Sequence, residues 1–129
     1  APMMSAYNVS KAGVVSLSET LRGELADSNV FVTVLMPTYI RTEMGKATLG
    51  PEPYKRRSQI LMEEKSALAP LEVAQVTLKA VAAAQLYVVL PEQARFLWRF
   101  KRLLPNRFWP AVKVEAERRI AEIDKSLKG

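Results

Sequence analysis

The chain has 129 residues, a formal net charge of +6, and is 49% apolar and 25% charged. Such a length and composition fit one globular domain with a moderate core and exclude a disordered chain. Cysteine and histidine are absent, which excludes disulfides, thiolate or imidazole metal sites and Ser-His-Asp catalysis within it, so acid–base work falls to Tyr, Lys, Asp or Glu. No apolar run approaches the length of a membrane span. The lack of cysteine is compatible with a cytoplasmic protein.

The first two dozen residues predict a helix. Ala6, Val9, Gly13, Leu17, Leu21 and Leu25 recur at steps of three and four, the helical period. Tyr7 and Lys11 are one turn apart on one face. An ammonium beside a phenol favours phenolate, and such a tyrosine can pass a proton to or from an oxygen atom. On spacing alone, a Tyr–Lys pair of this kind more often marks a solvated helix face. The turn formers Asp27-Ser28-Asn29 are expected to end the helix.

Val30 to Met36 is short, β-branched and almost continuously apolar. It predicts a strand buried on both faces, as in a parallel sheet, stopped by Pro37. The loop Pro37-Thr38-Tyr39-Ile40-Arg41-Thr42-Glu43-Met44 follows, and the carboxyl end of a central strand is where open α/β sheets bind ligands. Residues 45–53 read as a loop, and Tyr54 to Ser66 as an exposed helix. Pro70, suited to a first turn, opens a helix to about Ala84. Leu86 to Leu90 predicts a second strand, stopped by Pro91. Helix then strand fits the outer part of a parallel α/β sheet.

The last forty residues differ. Between Arg95 and Lys113 stand six basic residues and no acidic one, interleaved with Phe96, Leu97, Trp98, Phe100, Leu103, Leu104, Phe108 and Trp109. Pro105 is expected to divide them into helices near Gln93–Leu104 and Pro110–Leu127. Three readings stand. The helices pack on the sheet or on a sister subunit and keep their cations in water, they contact a membrane surface, or, least favoured, they bind nucleic acid.

The stretch Pro2-Met3-Met4-Ser5-Ala6-Tyr7-Asn8-Val9-Ser10-Lys11-Ala12 closely resembles the active-site helix of the short-chain dehydrogenase/reductase family, whose Tyr-x-x-x-Lys signature is met as Tyr7 and Lys11. Pro37 to Thr42 resembles the family's Pro-Gly-x-x-x-Thr loop and departs from it at Thr38, where glycine is usual. The resemblance implies an α/β fold, the carboxyl-terminal half of a doubly wound parallel (Rossmann-like) sheet with two strands plus helices. Residues 1–92 would be that half of a catalytic domain and residues 93–129 a basic, aromatic helical tail. It implies hydride transfer between NAD or NADP, with NADP preferred, and a carbonyl/alcohol substrate. Tyr7 would carry the proton. Lys11 would support it and bind the nicotinamide ribose. Pro37, the Ile40 backbone and the Thr42 hydroxyl would hold the carboxamide end, while Tyr39 and Met44, with Leu49 and Tyr54, would line the substrate pocket.

Glycine occurs only at 13, 23, 45, 50 and 129, so no glycine-rich strand-to-helix turn can be written. The family's active-site serine and asparagine would precede Ala1. The expectation is a piece of a longer polypeptide whose remaining strands come earlier, inactive in isolation and a homo-oligomer when complete. The alternative is a catalytically empty interaction or membrane-associating module acting through residues 95–113, in the cytoplasm or at a membrane periphery, without nucleic acid.

Overall fold

A computed structural model describes residues 4–42, 51–65 and 68–126. Its elements run α1 (Ser5–Glu24), β1 (Val34–Pro37), α2 (Glu52–Lys65), α3 (Pro70–Ala82), β2 (Tyr87–Leu90), α4 (Glu92–Leu103) and α5 (Pro105–Ser126). The two strands pair in parallel, with Val34 opposite Tyr87 and Pro37 opposite Leu90. This is the α/β half-sheet that the sequence predicts.

The core lies where α3 and α4 cover β2. Leu68, Val73, Ala80, Val88 and Leu90 form it, with Leu35, Ile40 and Val76 packed against it. Val88 is the deepest, 2% exposed. Its neighbours on both sides of the strand, Val89 and Leu90, are also buried, as expected for a strand covered on two faces. β1 is less covered: only Val34 is buried.

Three expectations shift. The strand starts at Val34, not Val30, because pairing begins where the Val34 N–H reaches the Leu86 carbonyl and β2 offers no residue earlier. Pro37 is the last strand residue. It tolerates that place because the next N–H, from Thr38, donates to Leu90 in its stead. Pro105 opens α5, and Pro110 lies inside it. A proline in the first turn loses no helical hydrogen bond, and one in the second turn loses only a single bond.

The end of α3 shows why it stops. Gln85 N–H donates to the Ala80 carbonyl and Ala84 N–H to Val81. This paired closure requires a left-handed residue after the cap, and Ala84 supplies it at φ 52°. A Cβ there is unfavourable, and glycine carries none. Ala84→Gly is therefore expected to raise unfolding stability by about 1 kcal/mol, measured by urea denaturation.

Candidate active site

α1 carries the Tyr–Lys pair. Tyr7 and Lys11 stand one turn apart, with the Lys11 ammonium 5.5 Å from the centre of the Tyr7 ring. Both side chains are exposed, Tyr7 by 51%. No acidic group is paired with Lys11 among the described residues. Ser10, between them, turns its hydroxyl back to the Tyr7 carbonyl.

The helix line explains this exposure. Val15, Ser18, Glu19, Leu21 and Arg22 are the half-covered residues of α1, as is Leu25 at its cap, and α1 contacts β1. Tyr7 and Lys11 continue that same line toward the amino end, at steps of four. The pair therefore belongs to the sheet-facing side of α1 and stands at an edge of the sheet.

Two anchors fix which edge that is. The Tyr87 hydroxyl donates to Glu19 at 2.5 Å, and Tyr87 opens β2 opposite Val34. Arg102 also reaches Glu19, at 3.2 Å, with its guanidinium over the rings of Trp98 and Tyr87. One turn later, Arg22 lies 4.9 Å from the Phe31 ring, and Phe31 precedes β1. Going from Glu19 to Arg22, α1 thus passes the amino edge of the sheet. In the other direction Tyr7 lies about 18 Å along the axis from Glu19, whereas the four-residue strands span only about 13 Å. Tyr7 reaches past the carboxyl edge, where the loop after β1 begins, and Lys11, about 12 Å from Glu19, stands level with that edge.

That loop is tied down in its middle. Ile40 forms a parallel bridge with Leu68, and Arg41 N–H donates to the Leu68 carbonyl. Extended backbone alternates its polar groups from side to side, so the Ile40 N–H and C=O face the opposite edge, away from Leu68. The Ile40 side chain packs on the core. Pro37 ends β1, Tyr39 is half-buried and Thr42 is exposed. Met44 and Leu49 lie outside the described residues, as does the side chain of Tyr54, whose backbone sits in α2.

Residues without a sequence signal do the positioning. Glu19 and Tyr87 are 68 apart in the chain, and Arg102 is 83 from Glu19. A tyrosine inside a short apolar strand was the one visible hint. A second set joins α2 to α5: Arg57 forks onto Asp124 at 2.6 and 2.5 Å, and Arg119 pairs with Glu64 and Glu122.

These features define a partial Rossmann-like α/β unit with a phenol–ammonium pair at the carboxyl edge of its sheet. Residues 1–52 match the family described as short chain dehydrogenase. An uncharacterised oxidoreductase of Mycobacterium tuberculosis is 35% identical over 104 residues, which cover 81% of this chain and 38% of that protein. The NADPH-dependent 3-dehydrocapnine reductase of Ornithobacterium rhinotracheale is 32% identical over 80% of this chain and 38% of its own length. A dehydrogenase/reductase SDR family protein 7-like of Anopheles gambiae is 30% identical over 91% and 37%. No solved structure matches. The chain belongs to the short-chain dehydrogenase/reductase family, and it spans less than two-fifths of the length of these relatives.

The Glu19 anchor gives a pH test. Glu19, by accepting its proton, together with partial burial, raises the Tyr87 phenol above its usual 10. A raised value means that the contact stabilises fully below the unfolded value and is lost as pH rises through the folded one. Tyr87→Phe is expected to cost about 1 kcal/mol at neutral pH. That deficit relative to wild type should shrink in urea melts taken above pH 10.

Proposed function

We propose that the complete protein is an oxidoreductase that moves a hydride between NAD(P) and a carbonyl/alcohol substrate, with Tyr7 as proton carrier. The observation that carries this is the Lys11 ammonium beside the Tyr7 ring on the sheet-facing line of α1. A bound nicotinamide would supply or accept the hydride. In reduction, the Tyr7 hydroxyl gives its proton to the carbonyl oxygen while hydride adds to the carbonyl carbon, leaving an alcohol and a tyrosinate. The tyrosinate is reprotonated from solvent, to which Tyr7 is open. Oxidation runs the same steps backwards.

Lys11 lies beside the Tyr7 ring and has donors to spare for a ribose hydroxyl. The outward N–H and C=O of Ile40 suit a carboxamide, which needs one donor and one acceptor. Pro37 sets where the loop leaves the strand, and Thr42 adds a hydroxyl beside it. Tyr39 and Met44 would border the substrate. Family membership supports the reaction class, and the NADPH-dependent relative favours NADP. Residues 1–92 would act as the carboxyl half of the catalytic domain and residues 93–129 as an appended tail.

In the full-length protein, Tyr7→Phe is expected to lower turnover by at least about 100-fold while reduced cofactor still binds, read by its fluorescence. A Phe variant that turns over like wild type refutes the role of the phenol.

A further inference from the structure

We propose that the elbow between α4 and α5 docks on an anionic lipid surface. Ala94 is buried, and Trp98 is half-buried against Tyr87, with ring centres 5.2 Å apart. These two mark the side of α4 that faces the domain. At about 100° per residue, Leu103, Phe96, Phe100, Leu104 and Leu97 fall in one arc on the other side. Phe96 is 71% and Leu103 78% exposed. Large apolar side chains grouped this way on open surface mark an interaction site.

The rim of the arc is basic toward α5. By the same wheel Arg99 and Lys101 flank the arc toward the α5 end, while Glu92, paired with Arg95, lies by its edge at the opposite end of α4. Neither Arg99 nor Lys101 has an acidic partner among the described residues, nor does Arg107 at the start of α5. Lys101 instead lies 5.4 Å from the Trp109 ring. The turn at Leu104 brings α5 into the same patch: Phe100 meets Phe108 edge-on at 5.9 Å, and Phe108 meets Trp109 at 5.3 Å. Trp109 itself is exposed.

The charge pattern selects the occupant. Arg95, Arg102 and Lys113 are paired with Glu92, Glu19 and Glu117. That leaves Arg99, Lys101 and Arg107 as cations without an acidic partner among the described residues, and three such charges on one patch disfavour a second copy of itself. The patch complements a negative surface. The exposed Phe96, Leu97, Leu103 and Leu104 suit the acyl boundary of a bilayer, with Arg and Lys at headgroup level and Trp at the interface. Nucleic acid would use the cations and aromatic faces but leaves Leu97, Leu103 and Leu104 without a partner.

The test is co-sedimentation of the full-length protein with phosphatidylcholine vesicles, with and without phosphatidylserine, at low and high salt. Binding is expected only with phosphatidylserine, to weaken with salt, and to shift Trp emission to the blue. Each basic residue at such a surface is worth about fivefold in partition, so Arg99→Gln with Arg107→Gln is expected to weaken binding about 25-fold. Phe96→Ser with Leu103→Ser is expected to weaken it as well. Circular dichroism and turnover should be unchanged in both variants, since all four side chains are exposed and outside the Tyr7 site. Equal binding to neutral vesicles, or full binding by the Phe96/Leu103 variant, overturns the proposal. So does an absence of vesicle binding accompanied by tight binding to single-stranded nucleic acid, or by self-association that the Phe96/Leu103 variant loses.

Discussion

The parallel pairing of β1 with β2 is the constraint from which the rest follows. Parallel strands need a crossover, and here α2 and α3 lie in that crossover. The same pairing sets Tyr87 level with Val34, so the Tyr87 hydroxyl holds Glu19 at the amino edge. With Glu19 held there, helix rise alone carries Tyr7 beyond the carboxyl edge and Lys11 level with it. The half-sheet thus delivers two side chains on one helix to the rim where a βα unit exposes its loop. Ile40, bridged to Leu68, brings the loop's free backbone groups to that rim as well.

Much of this was legible in the residues. Helices announced themselves by period, and Pro70 and Pro91 marked real boundaries. The Tyr7–Lys11 spacing placed both groups on one face before any coordinates. The covered face of α1 was legible only at its carboxyl end. Of the predicted stripe, Leu21 and Leu25 are half-covered, but Ala6, Val9, Gly13 and Leu17 are exposed, and the other covered residues are Val15, Ser18, Glu19 and Arg22. Periodicity detects a helix from any apolar stripe but does not say which stripe meets the sheet. Long-range polar anchors were invisible for a related reason. Glu19 with Tyr87, or Arg57 with Asp124, depends on register between distant segments, and single residues carry no mark of their partner.

The two ends of the chain treat polar groups differently. At the Tyr–Lys pair, Lys11 has no acidic partner among the described residues, and both side chains are exposed. In α5, charge is spent on structure: Arg118 is held by Glu115 and Glu122, and Arg119 by Glu122 and Glu64. Hydrogen bonds from Arg119 pull Glu122 below the usual carboxylate range. With the Arg57–Asp124 fork, this network straps α2 to α5 across a stretch of chain that includes the whole of β2.

The central claim is that Lys11 and Tyr7 act as a unit across one helical turn. Single-turnover hydride transfer by the full-length protein carrying Lys11→Met, with saturating reduced cofactor, tests it most directly. The account predicts a rate at least about 100-fold below wild type, with the circular dichroism unchanged. A hydride-transfer rate equal to that of wild type would contradict it.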